Sequence, residues 1–134
     1  MNTLLDITLR LLLAAALGAG IGYQRERANK PAGLRTHILI ALGSALFTVI
    51  SIFGFNGTVD PSRVAAGVVT GIGFIGAGVI LRGVRGEHVV GLTTAASIWA
   101  VAAIGMAAGV GMYLIATVVT AIAVLVLMVP TVKG

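Results

Sequence analysis

The chain has 134 residues, 58% of them hydrophobic and 10% charged, with a net charge of +5 and no cysteine. A soluble domain carries about 25% charged residues, so a water-soluble fold is excluded, as are disulfides and thiolate metal sites. In a chain this apolar, the basic excess marks cytoplasmic loops rather than nucleic-acid binding.

The first apolar stretch, 4–22, holds charge only at Asp6 and Arg10. No basic segment precedes it and no small-residue cleavage site leads into a folded domain, so it reads as a span rather than a signal peptide. Asp6 and Arg10 share one helix face, with the acid on the N-terminal side. They form either a local pair, with Arg10 snorkelling to the interface, or a contact for an ion or partner. The loop from Gln24 to Thr36 carries Arg25, Glu26, Arg27, Lys30 and Arg35. These residues set topology and can also meet anionic lipid headgroups.

Thr36 to Val59 lacks Asp, Glu, Lys and Arg and holds a second span, 36–55. Asp60-Pro61-Ser62 reads as a helix start, capped by Asp60 or Ser62, with Pro61 in the first turn and Arg63 beside it. An external divalent cation would need more oxygen ligands than Asp60 and Asp6 can offer. The third span is 63–81, followed by a loop with Arg82, Arg85 and Glu87. His88 to Val132 again carries no Asp, Glu, Lys or Arg and holds two spans, 92–109 and 112–130, separated by a turn at Gly109-Val110-Gly111. Thr93 and Ser97 share a face of the fourth span, where hydroxyls more often join helices than line a pathway. Trp99 is mid-span, where it should pack against a glycine face.

Backbone groups cannot go unpaired in lipid, and the apolar runs are continuous where a β-barrel would alternate. The expected fold is therefore an all-α membrane protein, one domain of five transmembrane helices. The basic loops place the N-terminus outside and the C-terminus, with Lys133, in the cytoplasm.

Shifting the chain by 58 residues aligns Gly18–Phe47 with Gly76–Gly105 without a gap. Gly18, Ala19, Gly20, Arg27, Gly33, Leu34, Thr36, Ile40 and Ala45 then meet identical residues. The two helix hairpins are read as parallel repeats about an axis along the membrane normal, and the fifth helix has no counterpart. Thr36 and Thr94 occupy equivalent positions where helices re-enter the membrane. They either cap those helices or mark two N-termini converging on an anionic partner.

Small residues spaced by four let helix backbones touch in lipid. Gly18 and Gly22 have that spacing, as do Gly67 and Gly71, and Gly105 and Gly109. In the third span Gly67, Gly71 and Gly78 fall on one face and Gly73 and Gly76 on another, which predicts a central helix packed on two sides. The alternative is a partly broken helix lining a site. The run Gly71-Ile-Gly73-Phe-Ile-Gly76 matches the dinucleotide fingerprint in letters only, since no βαβ unit surrounds it.

Two stretches carry a family resemblance. One is Gly18-Ala-Gly-Ile-Gly-Tyr-Gln-Arg-Glu26 with Pro31-Ala-Gly-Leu-Arg-Thr-His37. The other is Gly71-Ile-Gly-Phe-Ile-Gly-Ala-Gly-Val-Ile80 with Gly91-Leu-Thr-Thr-Ala-Ala-Ser-Ile-Trp99. Both resemble the signatures of the MgtC/SapB family of bacterial membrane proteins, over about residues 4–115. The resemblance implies a five-helix protein of the bacterial inner membrane. It also implies a link to growth under magnesium limitation and, in pathogens, to virulence and survival inside host cells. Such proteins regulate other membrane proteins, and transport by them is not established. Family members often have Glu where this chain has Gln24. Those nearest the virulence protein often have Asn at the position of Thr93 and carry a soluble C-terminal domain beyond the position of Gly134.

Three function classes follow. The first is a non-enzymatic regulator that acts through helix contacts with other membrane proteins. The second is a small oligomeric channel or transporter for magnesium or another cation, weakened by the scarcity of carboxylates. The third, an enzyme, has little support: His37 and His88 sit near loops, and no nucleophile–base pair is evident. No cofactor or metal site is expected. The several small-residue faces of so short a chain predict a homo-oligomer, most simply a dimer.

Overall fold

The computed structural model describes residues 3–55, 60–85, 88–89 and 91–130. Five helices follow in chain order: α1 Thr3–Arg27, α2 Leu34–Phe53, α3 Ser62–Gly83, α4 Leu92–Gly109 and α5 Tyr113–Leu127. Between α3 and α4 the backbone pairs briefly, with Val84 opposite Val89 and Arg85 opposite His88. The all-helical expectation holds, and α1 to α4 are long and apolar enough to cross a membrane. Helix α5 has 15 residues, about 22 Å at 1.5 Å per residue, against a hydrocarbon core of about 30 Å. It is shorter than the span 112–130 read from hydropathy. Helix α1 instead overruns its predicted span by five residues to Arg27.

The core is built around α2. Its residues His37, Ala41, Ser44, Ala45 and Thr48 form a stripe of small and polar side chains, all buried. Glycines from two neighbours close on that stripe. A Cβ at Gly18 of α1 would lie 2.7 Å from the His37 carbonyl oxygen, and one at Gly22 would lie 2.7 Å from Leu34 Cα. From α4, Gly105 abuts the Ala41 carbonyl oxygen, and a Cβ at Gly109 would lie 2.8 Å from Thr48 Cβ. The glycine pairs of α1 and α4 therefore seat on this one face of α2, α1 near its N-terminal half and α4 near its C-terminal half. Ser44 donates to the Ala102 carbonyl across this interface at 2.6 Å. These two residues are 58 apart, so they are equivalent in the internal repeat and the two hairpins meet near their pseudo-twofold axis. Gly76 against Ala95, at 3.6 Å for an added Cβ, repeats the Gly18–His37 approach more loosely.

The third span is not central. Helix α4 is, packing against α1, α2, α3 and α5, with half of its residues buried against 11% in the span of α3. The stripe on α2 is already filled by α1 and α4, so α3 reaches the bundle only through contacts such as Ile72 on Ile98 and Ala102. Of the α3 glycines expected to pack, only Gly76 has a neighbour. Gly67, Gly71, Gly73 and Gly78 have no atom within 4 Å of an added Cβ. The helix is continuous through Gly71–Gly78, so the broken-helix alternative fails too. Trp99 also departs from expectation: it is 62% exposed, on the side of α4 opposite its buried residues.

Candidate functional site

At the basic end of the bundle, α1 stops in a tight turn. Asn29 adopts φ 57°, and the Asn29 and Lys30 amides return to the Glu26 and Arg25 carbonyls at 3.1 and 3.0 Å. This left-handed closure satisfies two carbonyls that would otherwise end the helix unpaired. It also leaves Glu26 facing the start of α2. Its Oε1 accepts from the Leu34 amide at 3.3 Å, where a carboxylate complements the helix dipole. Gly33 precedes that helix, and a Cβ there would lie 2.7 Å from the same oxygen.

Arg25 turns inward and is 3% exposed. Its Nη2 donates to the Pro31 carbonyl at 3.1 Å and to Thr94 Oγ1. Its Nε has no hydrogen-bond partner among the described residues. The one ion pair among them, Arg10 with Asp6, lies elsewhere. His37, fully buried, joins the cluster. Nδ1 donates to the Gly33 carbonyl at 3.0 Å, and Nε2 lies 2.9 Å from Ser97 Oγ. Ser97 Oγ in turn lies 2.8 Å from the Thr94 carbonyl. The serine has one proton for two acceptors. With neutral histidine it serves Nε2, and with imidazolium Nε2 donates and the serine serves Thr94. The position of the hydroxyl proton therefore reports the charge on His37.

The opposite end of the bundle has a second polar group. Arg10 Nη2 donates to Asp6 Oδ2 at 2.9 Å, and Nη1 to the Gly109 carbonyl at 2.8 Å. The guanidinium lies 5.2 Å from the centre of the Phe53 ring. Tyr113 donates to Asp6 Oδ1 at 2.9 Å. The Asp6–Arg10 pair is present, but Arg10 caps the C-terminus of α4 instead of snorkelling outward. That is a favourable place for a cation.

Asp60 is exposed and takes the Ser62 amide at 3.0 Å and the Ser62 hydroxyl at 2.8 Å, so of the two caps the sequence offered, Asp60 or Ser62, it is Asp60 that accepts at the helix start. These two bonds hold its carboxyl below the ordinary aspartate range. Arg63, Arg35 and Thr93 are exposed and Thr36 is half-buried. The structure thus brings together Arg25, Thr94 and Ser97, ties Asp6 and Arg10 to the end of α4 and to Tyr113, and leaves the other candidates as local caps or surface groups. His37 was missed, although its place on the stripe with Ala41, Ser44 and Ala45 marks it as buried. Gln24 donates to the Leu127 carbonyl at 3.3 Å, capping α5, where a carboxylate would oppose the helix dipole. Glu87 lies outside the described residues.

The third feature is apolar. A groove of about 680 Å³ runs between α2 and α3, walled by Leu39, Gly43, Phe47, Gly67 and Gly71 with Ala102 at its base. Among the described residues no group of three or more His, Asp or Glu could hold a metal ion.

The sequence profile of the MgtC family matches residues 11–132. YhiD of Escherichia coli K12, which bears a provisional magnesium-transporter name, is 55% identical over 115 residues, 81% of this chain and 53% of that protein. SapB of Bacillus subtilis 168 is 44% identical over 115 residues, 81% and 49% of the two chains. MgtC of Brucella abortus 2308 is 46% identical over 107 residues, 80% and 44%. The chain spans about half the length of the curated relatives it matches. No solved structure matches it.

Proposed function

The chain belongs to the MgtC family, and from that premise we propose a non-enzymatic membrane protein that regulates other membrane proteins by helix docking, in adaptation to magnesium limitation or to life inside host cells. The observation that carries this reading is the glycine face of α3, bare at Gly67 and Gly71 and bordering the α2–α3 groove. In lipid, helices associate through close packing of small residues rather than through apolar burial, so such a face suits an incoming transmembrane helix. The same face supports a homodimer about an axis along the membrane normal. The charge pattern supports an external N-terminus and a cytoplasmic C-terminus in the bacterial inner membrane.

The Gly71→Leu variant tests this reading. It should fold normally, because among the described residues no neighbouring atom lies within 4 Å of an added Cβ at Gly71. It should lose crosslinks to itself or to partner proteins in native membranes. Unchanged crosslinking by a folded Gly71→Leu protein overturns the docking face. The provisional name of YhiD favours a second reading, cation transport. Proteoliposomes loaded with a magnesium indicator decide between the two: a flux above that of empty liposomes supports transport, and its absence supports regulation.

A further inference from the structure

We propose that Arg25 and the N-terminus of α4 form a binding site for a phosphate-type oxyanion that enters from the basic end of the bundle. Arginine keeps its charge at any physiological pH, and a buried charge without a counter-ion is strongly unfavourable. Arg25 is 3% exposed, with no carboxylate within ion-pair distance and an unpartnered Nε among the described residues.

A second observation points to the same place. Two helix N-termini converge there, but they are not equivalent. That of α2 already holds the Glu26 carboxylate at Leu34. That of α4 follows Gly91, at φ 93°, and has no side-chain cap among the described residues. Its first-turn amides face the end of the helix where anions bind. The guanidinium of Arg25 already reaches this turn at Thr94. A guanidinium fork beside open helix amides is the donor set that phosphate oxygens take. Exposed Arg27, Lys30 and Arg35 at the same end draw anions towards it. The phosphate group is supplied by an anionic lipid headgroup or by free phosphate.

The experiment separates the two sources. The full chain is purified in an uncharged detergent and its unfolding temperature followed during titration with inorganic phosphate. In parallel it is placed in nanodiscs of phosphatidylcholine with or without phosphatidylglycerol, with phosphorus NMR reporting bound headgroups. For a free-phosphate site, inorganic phosphate raises the unfolding temperature in detergent, as any ligand of the folded state does. For a headgroup site, only phosphatidylglycerol discs do so. In either case Arg25→Gln weakens binding at least tenfold, while Arg35→Gln, on the surface, changes it less than twofold. Should Arg25→Gln fail to fold, Arg25→Lys retains the charge but loses the fork, and binding falls at least fivefold. Two results overturn the site. One is no response to either source, as expected if Glu87 neutralises Arg25. The other is an Arg35→Gln loss equal to that of Arg25→Gln, which reduces the effect to diffuse surface attraction.

Discussion

A methyl group added at Gly105 tests the seating of α4 on α2 directly. The new Cβ would abut the Ala41 carbonyl oxygen and lie 3.0 Å from Ser44 Cβ and 3.1 Å from the Ala41 carbonyl carbon. Two of these atoms are backbone, which cannot swing aside as a flexible side chain could, so the helices must separate to admit the methyl group. Overpacking of this kind costs about 1–3 kcal/mol. Separating the helices also weakens the bond from Ser44 to Ala102, worth about 1 kcal/mol. Alanine returns a similar amount through its better helix propensity, leaving a net loss of about 1–3 kcal/mol. Gly71→Ala is the matched control. It has no atom to strike within 4 Å, and it should gain up to about 1 kcal/mol from propensity alone. Unfolding in mixed micelles of a mild detergent with increasing dodecyl sulfate gives both numbers. If Gly105→Ala unfolds with wild-type stability, or Gly71→Ala loses as much as it does, the assignment of α1 and α4 as the helices seated on α2 is wrong.

Two further outcomes are expected. Single cysteines at Asn29 and Arg63 should label differently with an impermeant thiol reagent in intact cells: Arg63 reacts and Asn29 does not. The reverse pattern refutes the external N-terminus. The Asp60 carboxyl, held low by its two bonds to Ser62, titrates in the folded protein below its unfolded value. Its contribution to the start of α3 is complete above the unfolded value and is lost as pH falls through the folded one. Carbon NMR of Asp60 should show the midpoint rise in Ser62→Ala, and an unmoved midpoint removes the cap from the account.

The helix content, four of the long spans and the cap at Asp60 were legible because each is written locally, in runs of apolar residues or in a three-residue signal. The packing order was not. The spacing of Gly67 and Gly71 is the same as that of Gly18 and Gly22, and nothing in spacing says which pair meets a backbone. That depends on the stripe His37, Ala41, Ser44, Ala45 on a different helix, which two neighbours fill and a third then cannot. Arg25 reads as a loop charge because the loop begins later than hydropathy suggests. The helix continues through Gln24 and Glu26 and carries the guanidinium inward. Trp99 shows the limit of hydropathy in lipid, where exposed and buried positions are both apolar and the pattern that separates them in water is absent.

The two arginines of α1 have a joint consequence. Arg10 holds the last turn of α4 at Gly109, and Arg25 holds its first turn at Thr94. Fifteen residues separate the arginines and fifteen separate their partners, a matched rise of about 22 Å on each helix. Helix α1 therefore acts as a gauge block for α4. A residue inserted between Arg10 and Arg25 turns one guanidinium about 100° away from its seat and releases one end of α4, unless α4 changes length in step. Sliding of α4 along its own axis is blocked for the same reason. Helix α3, gripped at neither end by these arginines, is the one whose displacement leaves that gauge intact.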